Sequence, residues 1–230
     1  MRQKWGIVGI GKLGNAILTQ FDHYQLETGV YHPDLQKAEG ITETYRHTKS
    51  LHKEELASLD YLIMALPANQ IIPFITDYEA NGLTLQNTTL INVATAMPTE
   101  TLQLEFPERT WVGMKFVGHS ESLKKYGEGL FITDEGVLKN PAYREVYSRF
   151  SYLGQVMAEE ESVVEEVNKL ATYHAIKAAR EMEQKMIEQG FSDLFEDQTL
   201  RSIMPEVIRA YSKGQIGHFA KEIVKKLDQE

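Results

Sequence analysis

An α/β domain with a doubly wound parallel sheet, followed by a small all-α domain, is the fold class this sequence predicts. Three observations carry it. Strand-like and helix-like segments alternate from the N-terminus to about Met157, as in a sheet covered by helices on both faces. From Glu159 onward almost nothing reads as strand. Near the start, an apolar strand meets the spacing Gly9-x-Gly11-x-x-Gly14 and then a helix. The boundary is set between residues 1–157 and 158–230.

Each element follows from local pattern. KWGIVGI reads as the first strand, Leu13 to Phe21 as a helix, and LETGVYH as the second strand. LDYLIMALP follows, and its continuous apolar run is that of a strand buried on both faces. A helix is expected near Asn69 to Tyr78, then a strand in TTLINVAT. WVGMKFVG, LFIT, a helix from Asn140 to Tyr152, and GQVMA close the alternating run. Beyond it, Val163, Val167, Leu170 and Ile176 recur at helical spacing toward a stop at Gly190. Two more helical stretches follow, broken around Asp193 and at SKGQ.

Composition narrows the function classes. The chain has 230 residues, no cysteine and a net charge of −9. Disulfides, thiolate nucleophiles and Cys-ligated metals are therefore excluded, and the acidic balance argues against a nucleic-acid or membrane surface. The start, MRQKWGIVGIG, lacks the apolar region of a signal peptide, so a cytoplasmic protein is expected. The seven histidines show no HExxH-like spacing, so no metal is expected. Ser120 and Ser122 follow His119 without a nucleophile elbow.

The three glycines have a mechanical logic. Gly9 permits a tight turn, Gly11 lets backbone approach a pyrophosphate, and Gly14 lets helix and strand pack closely. With Ile10, Lys12 and Leu13 they open a helix whose free N–H groups and positive dipole favour phosphates. This Rossmann-type turn predicts an NAD or NADP site. The second strand then ends at Tyr31-His32-Pro33-Asp34, with Lys37 nearby. An acidic residue there reads a ribose 2′-OH and a basic one accommodates a 2′-phosphate. His32 is the better placed contact and Asp34 lies beyond a proline, so both cofactors are allowed; solvated turn residues are the plain alternative.

GIVGIGKLGNAIL, GVYHPDLQKA, LIMALPANQIIP, LINVATAMPTETL and GMKFVG…YGEGLFIT occur in the order seen in pyrroline-5-carboxylate reductases. The chain resembles that family over roughly residues 4 to 157. It is also similar to the wider superfamily of deazaflavin-dependent NADP oxidoreductases, prephenate dehydrogenases and β-hydroxyacid dehydrogenases. The resemblance implies a helical second domain that dimerises and completes the active site. It also implies that Ala65, Leu66 and Pro67 pass the cofactor ribose and nicotinamide, and that Val93, Ala94 and Thr95 line the nicotinamide. Several positions depart from the family. Pro33 stands where an arginine is frequent, Leu66 where a lysine is usual, and Met114-Lys115-Phe116 where Met-Pro-Asn is found. The helical part lacks the reductases' Gly-Ser-Gly-Pro-Ala-Tyr and Pro-Gly-Gly-Thr-Thr runs. Pyrroline-5-carboxylate itself is therefore not the expected substrate.

Hydride transfer needs a proton-handling group and, for an acidic substrate, a cation. Lys115 and His119 form one candidate cluster, similar to the histidine loop of prephenate dehydrogenases. Lys169 and His174 form another, on a helix where Lys169, Tyr173, Lys177 and Arg180 share a face. Lys169 matches the active-site lysine of β-hydroxyacid dehydrogenases, while the two asparagines of that pattern are Thr172 and Tyr173. The plain alternatives are a solvated loop for the first cluster and a basic face paired with glutamates for the second. The expected function is an NAD(P)-dependent oxidoreductase acting on a small carboxylate-bearing imine, ketone or alcohol, as a homodimer. The alternative is a nucleotide-binding regulator without turnover on a reductase scaffold.

Overall fold

The computed structural model describes residues 3–229. The first six strands are β1 (Trp5–Val8), β2 (Thr28–Tyr31), β3 (Thr48–Ser50), β4 (Tyr61–Met64), β5 (Thr89–Asn92) and β6 (Thr110–Gly113). They form one parallel sheet in the order β3-β2-β1-β4-β5-β6. The order reverses between β1 and β4, so ligands are expected beyond the carboxyl ends of those two strands.

Alternate residues of each strand feed two apolar layers. Ile7, Ile63, Ile91 and Val112 face one way, against Ala16, Ile17 and Phe21 of α1 (Lys12–His23). Val8, Leu62, Leu90 and Trp111 face the other, against Ile71, Ile75 and Tyr78 of α3 (Ala68–Ala80). This explains why LIMAL is apolar throughout: both of its faces are buried. Between them, α2 (Leu35–Thr44) joins β2 to β3, and α4 (Thr99–Glu105) joins β5 to β6.

The structure corrects three expectations. WVGMKFVG is not one strand. It breaks at Met114, whose N–H donates to the Asn92 carbonyl at 2.9 Å, and β7 (Lys115–Val117) enters a second sheet. That sheet joins β7 antiparallel to β8 (Gly129–Thr133), and β8 parallel to β9 (Gly154–Ala158), with α5 (Ser120–Tyr126) between β7 and β8. LFIT and GQVMA therefore leave the main sheet instead of extending it. Second, Thr48–Ser50 forms an edge strand that periodicity missed, since a polar three-residue strand with no buried member leaves no apolar signal. Third, the helix expected from Asn140 is split. After the short α6 (Glu135–Lys139), Pro141–Tyr143 is a single 3-10 turn, and α7 runs Arg144–Ser151.

The chain divides into two compact units, the first through Lys169 and the second from Leu170. The long helix α8 (Ser162–Glu188) bridges that division in sequence. The second unit continues with α9 (Asp193–Gln198), a π-helical turn (Thr199–Ile203), α10 (Met204–Ser212) and α11 (His218–Leu227). Among its described residues only Thr199 is buried, whereas Ile187, Leu194, Phe195, Tyr211 and Phe219 are well exposed. Among the described residues no helix is long and apolar enough to cross a membrane.

Candidate functional site

The glycine turn sits at the carboxyl end of β1. Gly9 has φ +94°, a conformation that disfavours any residue with a Cβ. The turn is also crowded: a Cβ at Gly14 would overlap the Gly9 carbonyl oxygen, and one at Gly9 would overlap the Ala65 carbonyl. Gly11, in contrast, faces open space and is the N-cap of α1, with no side-chain cap and no acidic residue in the first turn. The first-turn N–H groups of a 12-residue helix are thus left without a side-chain acceptor. The Ala65 N–H donates to the Val8 carbonyl at 2.9 Å, which joins the β4 loop to this turn.

A groove of about 540 Å³ opens there. It brings together Gly9, Ile10, Gly11, His32, Ala65, Leu66 and Pro67 from three separate loops, with Pro33 and Lys37 beside them. Lys12, Leu13 and Gly14 continue the turn as the first residues of α1. The uncapped helix start, the space at Gly11 and the apolar wall fit the phosphates and ribose of a dinucleotide.

The end of β2 settles a local question. The Asp34 carboxylate accepts from the N–H groups of Gln36 at 3.1 Å and Lys37 at 3.4 Å, capping α2. The Asp34 N–H in turn donates to His32 Nδ1 at 3.0 Å. His32 Nδ1 also lies 3.1 Å from the Asp34 carbonyl oxygen. Asp34 does not line the groove, whereas His32 and Lys37 do.

The loop after β5 is built differently. Val93 is enclosed in the core, while Ala94 and Thr95 are partly exposed. Asn92, fully buried, donates from Nδ2 to the Met97 carbonyl (2.8 Å) and the Thr99 hydroxyl (3.0 Å) and accepts from the Ala94 N–H (3.1 Å). Lys115 is fully buried as well. Its Nζ donates to the carbonyls of Ala94 (2.8 Å) and Met97 (2.6 Å) and lies 3.5 Å from Glu161 Oε2. Burial lowers the Lys115 pKa to about 8, against the pull of the Glu161 carboxylate, which raises it. Glu161 Oε2 also accepts from the Thr99 N–H at 2.9 Å. A cavity of about 910 Å³ beside Thr95 is lined by Glu100, Asp134, Glu160, Glu161 and Glu165, and among the described residues no Lys, Arg or His lines it.

The remaining basic candidates make other contacts. His119 is exposed and caps α5, accepting the Glu121 N–H at 3.3 Å. Lys169 is exposed and pairs with Glu165 at 2.5 Å, one helical turn away. His174 belongs to the second unit, where it is exposed and packs edge-on to Tyr173. Sequence reasoning missed Asn92, Thr99 and Glu161. The acidic run 159–161 reads as a helix start, and α8 does follow it, yet the Glu161 carboxylate turns inward. The available signal was Gly113, where a Cβ would overlap Glu161 Oε1.

No protein-family model matches the chain, and no curated protein matches it by sequence. Solved structures do. A Plasmodium falciparum pyrroline carboxylate reductase with NADP bound superposes with a TM-score of 0.65 at 15% identity, over 92% of this chain and 80% of that one. A reductive aminase from Aspergillus terreus, in complex with NADPH and ethyl-5-oxohexanoate, gives 0.64 at 16% identity, over 93% and 76%. The 3-hydroxyisobutyrate dehydrogenase of Mycobacterium tuberculosis gives 0.61 at 14% identity, over 88% and 72%. The chain therefore shares the fold of these solved structures, a doubly wound parallel sheet followed by helices.

Proposed function

We propose that this chain is an NAD(P)-dependent oxidoreductase. The observation that carries the reading is the uncapped, sterically open start of α1 at Gly11, facing a groove built from the ends of β1, β2 and β4. In this reading the first turn of α1 holds the pyrophosphate, residues 65–67 pass the nicotinamide ribose, and residues 93–95 line the nicotinamide. The cofactor supplies or accepts the hydride. His32 and Lys37, with the Asp34 carboxylate spent as a helix cap, favour a dinucleotide bearing the 2′-phosphate over one with a free 2′-OH. The substrate is a small imine, ketone or alcohol. Because no cationic side chain among the described residues lines the cavity beside Thr95, neutral carbonyl compounds belong in any test beside imino and keto acids.

The second unit bears on assembly. Its apolar side chains stand exposed, which in a stable protein calls for a covering surface. We assign that cover to a second copy of the chain. Analytical ultracentrifugation at micromolar concentration is expected to show a dimer, and a clean monomer refutes it.

A second reading has one observation in its favour. Lys115, the basic candidate that touches residues 93–97, directs its ammonium at the Ala94 and Met97 carbonyls and lies 3.5 Å from Glu161. That pattern fits a dinucleotide-binding regulator without turnover. A thermal-shift comparison of NAD(H) and NADP(H), followed by reduced-nicotinamide absorbance with the substrate panel, separates the two. Stabilisation with turnover supports the oxidoreductase, and stabilisation without turnover across the panel supports the regulator. No stabilisation by either dinucleotide overturns both.

A further inference from the structure

We propose that Glu161, acting with Asn92 and Lys115, is a positioning group that holds the 93–97 loop in its cofactor-binding form. This rests on the dinucleotide reading above. Three sets of contacts converge on the loop. Its two inward carbonyls, Ala94 and Met97, both accept from Lys115, and Met97 accepts from Asn92 too. Its exit, at Thr99, is gripped through the hydroxyl by Asn92 and through the N–H by Glu161. Its entry, at Ala94, is gripped through the N–H by the Asn92 side-chain Oδ1. Side chains from three separate places in the chain thus fix both ends and both inner carbonyls of one short loop.

Glu161 is the member that ties the set together. A buried ammonium needs a carboxylate to offset its desolvation, and Glu161 Oε2 lies 3.5 Å from Lys115 Nζ. The carboxylate occupies space that exists because residue 113 is glycine. Lys115, with its ammonium directed at protein carbonyls, acts on the reaction through the loop and not as a proton donor. The same geometry accounts for a lysine buried at the root of a loop where a hydrophobic residue would otherwise pack.

The test compares wild type with Glu161→Gln and Gly113→Ala, the second of which displaces the carboxylate without changing its charge. Titrations use full-length protein with NADPH, NADH and ADP-ribose, which lacks the nicotinamide. Each variant is expected to lose roughly tenfold in affinity for the better dinucleotide, the size of one charge-assisted hydrogen bond. ADP-ribose affinity should change by less than about twofold. In free protein, hydrogen exchange at the amides of residues 94, 95 and 97 should quicken by roughly tenfold in both variants. Equal losses for dinucleotide and ADP-ribose, or unchanged exchange in a folded variant, overturn the proposal. If wild type binds neither dinucleotide, the cofactor reading fails and this role fails with it, while the exchange result still reports separately whether Glu161 holds the loop. Should one variant fail to fold, the other carries both measurements.

Discussion

Two loops face the carboxyl ends of the central strands, and they are held in opposite ways. The β1–α1 turn is shaped by the lack of side chains: Gly9 adopts a left-handed conformation and Gly14 packs directly on the Gly9 carbonyl. The loop after β5 is shaped by side chains that reach it from elsewhere, Asn92, Lys115 and Glu161. Backbone-limited geometry tolerates almost no substitution but depends little on pH. A loop held by charged side chains tolerates conservative change at a graded cost and carries the titration of its members.

The largest expected effect tests the first half of that contrast. Gly14→Ala places a methyl group against the Gly9 carbonyl, so helix α1 must move off the strand. A loss of about 3 kcal/mol in urea unfolding is expected, with dinucleotide-induced stabilisation abolished. A loss below about 0.5 kcal/mol would show that the turn yields easily.

The next effect is a pH dependence that sharpens the second half. Lys115 has a folded pKa of about 8, below the unfolded value near ~10.4. Between those pH values the unfolded chain binds more protons, so the Lys115 contribution to stability rises with pH. Below about pH 8 both states are protonated and the full cost of burying the cation is present. Relative to Lys115→Met, wild type is therefore expected to gain on the order of 2 kcal/mol between pH 7 and pH 10. Urea unfolding at several pH values measures it, and a flat or falling difference contradicts the burial argument. The smallest effect is expected at Lys169. Exposed and paired within its own helix, it contributes a surface ion pair worth about 0.3–0.5 kcal/mol at most. Lys169→Ala should leave dinucleotide affinity within about twofold, and a tenfold loss would return Lys169 to the site.

How far the site was legible follows the same division. Gly9, Gly11 and Gly14 announced their turn because they sit between an apolar strand and an amphipathic helix, and LIMAL announced a central strand because both faces are buried. The break at Met114 was not legible. WVG and KFV are each ordinary strand sequence, and only the pairing of Met114 with Asn92, together with the antiparallel register to β8, separates them. Glu161 was misread for a related reason: three consecutive glutamates look like a solvated helix start, and nothing local marks the one that turns inward.

What the sequence alone determined is local in origin: the alternation of strands and helices, the glycine turn with its uncapped helix, and the change to an all-helical second part. Each depends on residues within a few positions of one another, whose periodicity and conformational freedom are carried in the chain itself. What only the tertiary structure decided is the fate of charges. Lys115 and Glu161 are 3.5 Å apart though they stand 46 positions apart in the chain, and Asp34 spends its carboxylate on α2. Whether a charged side chain meets water, a helix end or a buried partner depends on packing between distant segments, and local sequence holds no record of that.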